Sequence, residues 1–194
     1  DLTNKTSASM EASVQTVVEN YFSTNLQKFG GVFRRSNLLS LIDDLDTAIL
    51  NSKMTVKMQR PLIPSIGSPL SYTVSYPATI AAPDPLDTIV TSTNFTFNTK
   101  NCSIKNKLSS NKLQIVSVDG TVEVDNIGSY DAAKGTINLV GFNPSAIVGS
   151  SIKFSVVPAN QSTIRPLRNF ILDVDTQRSS STALLDFQNT AVTL

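Results

Sequence analysis

The apolar positions of this chain change period about a quarter of the way along it. Met10, Val14, Val17, Val18, Tyr21, Phe22 and Leu26 recur at three- and four-residue spacing, which puts them on one face of a helix. Ser7 or Ser9 is placed to cap its start, Glu11 meets the positive end of its dipole, and Gly30 with Gly31 stops it. Ser36 then caps a second helix with Leu38, Leu39, Leu41, Ile42 and Leu45 on its apolar side. The short link over residues 30–35 predicts a helical hairpin.

From Lys53 the period becomes two. Met54, Val56 and Met58 alternate with Thr55, Lys57 and Gln59, and Leu70, Tyr72, Val74 and Tyr76 alternate with polar partners. Both runs predict half-buried strands. The proline-bearing stretch Pro61-Leu-Ile-Pro64 reads as a loop between them, and Pro77, Pro83 and Pro85 as a second. Further strands are expected at Phe95–Phe97, at Leu113–Val118 and Val122–Val124 about an Asp119-Gly120 hairpin turn, at Thr136–Val140, at Ile152–Val156 and at Phe170–Val174. Helices first and strands after them give an α+β class, with an N-terminal helix pair packed on or beside a mostly antiparallel β-rich region. The expected organisation is residues 1–60 as helical hairpin plus first strand, 61–175 as the β-rich part in one continuous unit with the helices, and 176–194 as a tail. A Ser-rich segment leads that tail into Leu184, Leu185 and Phe187, apolar enough to dock on something.

Composition narrows the chemistry. Of 194 residues, Ser, Thr and Asn supply 61, while 16% are charged, below the usual quarter. The formal charge of +1 argues against nucleic acid or an anionic membrane as main partner. The chain has no histidine and one cysteine, which removes the usual general base and any intrachain disulfide. No apolar run reaches the ~18 residues of a membrane span. The chain opens on Asp1, which reads as processing or as a piece of something longer.

Two stretches are distinctive when taken together. One is Ser13-Val-Gln-Thr-Val-Val-Glu-Asn-Tyr-Phe22, then Lys28-Phe-Gly-Gly31, Phe33-Arg-Arg-Ser36 and Leu41-Ile-Asp-Asp-Leu-Asp46. The other is Ile127-Gly-Ser-Tyr-Asp131, Gly135-Thr-Ile-Asn-Leu139, Ile152-Lys-Phe-Ser-Val-Val-Pro158 and Arg168-Asn-Phe-Ile-Leu172. In this order they resemble the C-terminal region of the baseplate wedge proteins of contractile-tailed phages, the J-like family and its T4 type, over about residues 8–175. The resemblance implies a virion protein of the tail baseplate, assembled in the host cytoplasm, without catalytic residues or cofactors. Its partners would be copies of itself, as a homodimer or higher, and other wedge proteins, in a ring around the hub that rearranges when the sheath contracts.

The remaining motifs are weighed against that reading. Asp43, Asp44 and Asp46 carry the oxygens calcium prefers but lack a glycine turn, and read as a solvated helix face. Asp173 and Asp175 share a strand face without any sign of a cleft. Cys102 has basic neighbours but no partner base, and reads as a buried or semi-exposed structural thiol. Arg34 and Arg35 precede the second helix and are candidates for a contact with a partner, as are Leu184, Leu185 and Phe187. Sequons at Asn4, Asn94, Asn101 and Asn160, with the Ser/Thr/Asn content, support a different class, a β-rich adhesion or carbohydrate-binding module. The absence of Trp weakens it, because aromatic platforms are the usual sugar contacts.

Overall fold

The computed structural model describes residues 6–28, 31–161, 174–175 and 179–184. It forms two compact units, one of residues 1–54 with 165–194 and one of residues 55–164.

In the first unit, α1 runs Ser7–Tyr21 and continues into a π-helical turn, Phe22–Leu26. Its cap is Thr6, whose side chain accepts from the Ser9 amide at 3.2 Å, one residue before the nearer of the two expected serines. The apolar stripe is real: Tyr21 and Leu26 are buried with Leu38 and Ile42, and Val14, Val17, Val18, Phe22 and Phe33 pack around them. Helix α2, Arg35–Asp43, starts at Arg34 rather than at Ser36 and has no side-chain cap. The Tyr21 hydroxyl fastens that start instead. It accepts from the Arg34 amide at 3.3 Å and donates to the Arg34 carbonyl at 3.4 Å. Leu41, expected on the apolar side, is 47% exposed, because Leu38 and Ile42 alone face the cluster at four-residue spacing. Gly30 lies outside the described residues.

The second unit is a sheet in which all assigned strand pairs are antiparallel, so the α+β class with a mostly antiparallel region holds. Its strands are β1 Met58–Leu62, β2 Leu70–Ser75, β3 Val90–Ser92, β4 Phe95–Phe97, β5 Lys100–Asn106, β6 Lys112–Ser117, β7 Val122–Asp131, β8 Thr136–Phe142, β9 Ala146–Ile147 and β10 Ile152–Val156. They are ordered β1-β10-β3-β5-β6-β7-β8-β2, with β4 paired to β5 and β9. The sheet curls on itself. Tyr76, just past β2 at one end of that order, donates from its hydroxyl to the Phe154 carbonyl of β10 near the other, at 2.9 Å. Inward positions of the strands meet in one core, including Phe95, Ile104, Ile115, Ile137, Phe142 and Phe154, all fully buried. Phe95 and Phe142 stack edge to face, centroids 5.2 Å apart.

Two expectations for this region need correction. Met54 is not in a strand: it packs against the Tyr21–Leu38 cluster, and pairing begins only at Met58. Pro61, expected in a loop, pairs with Lys153 within β1. A proline is compatible with this position because β1 lies at the end of the strand order, where an amide is not required on the open side. Strands β3 and β5 carry no apolar alternation long enough to see. The inward row of β5 is Cys102, Ile104 and Asn106, and the last of these is polar. The expected strand over Phe170–Val174 falls outside the described residues except for Val174, which is not in a strand.

Two buried tyrosines differ in a way that can be tested. The Tyr76 hydroxyl is hydrogen-bonded, and burial pushes its pKa well up, with the Arg60 charge opposing. The Tyr130 hydroxyl, on a side chain 1% exposed, has no hydrogen-bond partner among the described residues, and burial raises its pKa too. An unsatisfied buried hydroxyl is costly while a satisfied one is mildly stabilising. Tyr130→Phe is therefore expected to raise the unfolding free energy by about 1 kcal/mol, and Tyr76→Phe to lower it by about 1 kcal/mol, both measured by denaturant unfolding.

Candidate functional site

The chemistry-bearing residues do not converge. Asp43 ends α2 and Asp44 follows it as the cap, where it accepts from the Ser40 hydroxyl at 3.3 Å. Asp46 accepts from the Ala48 amide at 2.9 Å, an Asx turn. Among the described residues no group of three His, Cys, Asp or Glu is placed to hold a metal ion. Asp173 lies outside the described residues, and the Asp175 carbonyl accepts from the Ser179 amide at 2.8 Å. Cys102 is fully buried between β4 and β6 partners, and burial pushes its thiol pKa up, away from nucleophilic use. The best-developed polar site is the Asp119-Gly120 turn. Asp119 accepts from the Ser117 hydroxyl and, at 2.9 Å, from the Thr121 amide. Those bonds hold its carboxyl down at about 2, and they explain why this hairpin was legible. A shallow depression at the other end of the β6–β7 pair is lined by Lys112, Asn126, Ile127, Gly128, Ser129 and Val140. No described feature of it points to a reaction.

The candidate contact residues separate from one another. Arg35 is half-buried, and its Nε donates to the Met54 carbonyl at 3.1 Å, tying the chain after α2 back to that helix. Arg34 beside it is exposed. In the tail, Ser181 donates from its hydroxyl to the Glu11 carbonyl at 3.0 Å, and the Ala183 amide donates to the Glu11 carboxylate at 2.9 Å. Ser181 and Ala183 therefore sit against α1 at Glu11, with Leu184 after them 89% exposed. Leu185 and Phe187 lie outside the described residues. Of the sequons, Asn94, Asn101 and Asn160 are exposed, and Asn4 lies outside the described residues.

What the structure offers is thus a helical unit clasped by Tyr21, Arg35 and a docked tail segment, and a curled antiparallel sheet. Comparison with known families speaks to the first. Residues 1–61 match the baseplate structural protein gp6, C-terminal domain III. Over that first third the chain is similar to a T4-type baseplate wedge protein, and the resemblance read from its sequence is borne out there. The matched residues contain both helices, the π-helical turn and most of β1. The later motifs, from Ile127 to Leu172, lie beyond them. No curated protein matches the chain.

Sequence reasoning missed Tyr21 and Glu11 as clasps. Tyr21 was read only as an apolar-face residue, and its hydroxyl partner is the backbone of a residue 13 positions on. Glu11 was read as a dipole partner, and its tail contact spans 172 positions. Neither backbone contact leaves a mark in side-chain pattern.

Proposed function

We propose that the chain is a structural subunit of a phage tail baseplate wedge. It acts by packing, through contacts with copies of itself and with other wedge proteins, in a ring around the hub that rearranges on sheath contraction. The observation that carries this reading is the match of residues 1–61 to a domain of a baseplate structural protein. The helical unit supports it, because its apolar stripe is used up internally and its exposed features are contact-like rather than catalytic. Arg34 presents a guanidinium next to the α2 start, and Arg35 keeps further N–H donors beyond the one on Met54. Leu184, with Leu185 and Phe187 following in the sequence, offers an apolar edge to a partner. The place of action is the virion, at the tail baseplate.

The test is reconstitution. Purified wedge subunits of the same tail, mixed with this chain and separated by sedimentation, are expected to carry it into a complex of defined stoichiometry. If the chain sediments alone in every mixture, and instead binds glycans on an array, the adhesion-module reading takes its place.

A further inference from the structure

The curled sheet lacks one pairing. Its strand order begins at β1 and ends at β2, which follow each other in the chain across residues 63–69. No ladder is formed between them among the described residues. The local sequence accounts for this. Residues of an antiparallel strand turn amide and carbonyl together, alternately to one neighbour and the other. Lys153 of β10 turns both towards β3, its amide donating to the Thr93 hydroxyl at 3.0 Å and its carbonyl accepting from the Thr93 amide at 2.9 Å. Phe154 therefore faces β1, and its partner Arg60 faces β10. Pro61 comes next, so it faces away from β10 and has no N–H to give in that direction. On β2 the Tyr76 amide donates to the Gly135 carbonyl at 2.8 Å, which turns Ser75 and Thr73 to the open side. Arg60 also lies opposite a fully buried phenylalanine and shares its face of the sheet. A charge on the core side of an edge strand deters further pairing.

We infer that β1 is a flap, which lifts from β10 while the rest of the sheet stays folded, and that Pro61 keeps it detachable. The inference stands apart from the baseplate reading. Strand β1 contributes little to the core: Gln59, Arg60 and Pro61 are exposed and Met58 and Leu62 half-buried. Its neighbours Ile152, Phe154 and Val156 are fully buried. A side-chain bond from Gln59 Nε2 to Ser155 Oγ at 3.2 Å adds to the β1–β10 ladder. The flap is bounded on both sides. Before it, the Val56 amide donates to Gln161 Oε1 at 2.8 Å. After it, Pro64 is buried and the Ser65 amide donates to the Tyr72 hydroxyl at 2.8 Å. The curl itself does not depend on β1, because the Tyr76 hydroxyl reaches past it to the Phe154 carbonyl. An edge strand with few buried apolar groups and one ladder belongs to the low-stability end of a fold. Its lifting bares the amides and carbonyls of Ile152, Phe154 and Val156.

The experiment is native-state hydrogen exchange of the full chain, read residue by residue by NMR at rising concentrations of denaturant below the unfolding transition. The amides of Arg60 and Leu62, which face β10, are expected to exchange on the order of 100-fold faster than those in the middle of β5 and β6. Their rates are expected to stay nearly flat as denaturant rises, the sign of an opening that exposes little surface. Pro61→Val supplies the missing donor towards β2. It is expected to slow exchange at Arg60 about fivefold, the worth of one hydrogen bond, with β5 and β6 unchanged. Exchange at Arg60 and Leu62 as slow as in β5 and β6, with the same denaturant dependence, overturns the inference, because β1 then opens only with the whole sheet. A Pro61→Val variant with unchanged exchange at Arg60 overturns the part assigned to Pro61.

Discussion

Replacing Gly128 by alanine is expected to lower the unfolding free energy of the sheet unit by about 3–5 kcal/mol, among the larger effects of a single substitution. Gly128 sits in β7 between two partners, paired to Leu113 of β6 and to Leu139 of β8. The register around it is uneven: Leu113 pairs with Gly128 and Ile115 with Val124, so β7 takes extra residues where β6 takes none. The chain re-enters its pairing at Gly128 with φ +150°, a region that side chains avoid. A Cβ there would lie 2.0 Å from the Asn138 carbonyl oxygen, and that oxygen belongs to the backbone of a paired strand and cannot rotate away. Gly67 separates the two causes. Its φ is +80° but nothing lies within 4 Å of its missing Cβ, so Gly67→Ala is expected to cost only about 1 kcal/mol, from backbone strain alone. Denaturant unfolding of the two variants measures the difference, and equal costs would mean that the overlap at Gly128 is relieved by a small shift of β8.

The second large effect is expected at Asn106. Its side chain is 2% exposed and uses its whole hydrogen-bonding capacity. Oδ1 accepts from the Ile89 and Val90 amides at 2.8 and 2.9 Å, and Nδ2 donates to the Lys107 and Ser110 carbonyls at 2.9 and 3.3 Å. One side chain thus does for the entry to β3 what a strand partner does elsewhere, while β3 and β5 are paired directly only through Thr91 and Lys105. Asn106→Leu keeps the branching at Cγ and strands two buried amides, each costing about 1–3 kcal/mol when unsatisfied. The expected loss is about 3–5 kcal/mol, with hydrogen exchange at Ile89 and Val90 accelerated more than at the β6–β7 pairs. A loss confined to a few tenths of a kcal/mol would show that other groups take over those amides.

These two positions also show what the sequence could and could not convey. The α1 stripe, the Asp119-Gly120 hairpin and the alternating strands β8 and β10 were legible because burial there follows side-chain polarity, and period alone places each face. Strand β5 was not, because its inward row ends in Asn106, a polar residue that is buried only because four backbone groups surround it. The β7 bulge was hidden because its key residue has no side chain to show a pattern. The edge position of Pro61 depends on strand order, which is set by partners such as Lys153 some ninety residues away. For the contact residues, the identity of Arg34 and Arg35 was visible, but their division into an exposed side chain and a tether to Met54 depends on where the chain after α2 returns. The apolar character of the tail was visible, and its course along Glu11 was not.

The proposed role, a structural part of the baseplate, can be tested in place. The most direct measurement is an electron cryomicroscopy map of the intact tail that carries it. The expected result is density at the baseplate that fits the helical unit, with its Tyr21 clasp, and the curled sheet unit, repeated around the hub in contact with other wedge subunits. The same fold found only at the tip of a fibre or on another surface structure, with no copy in the baseplate, would contradict it.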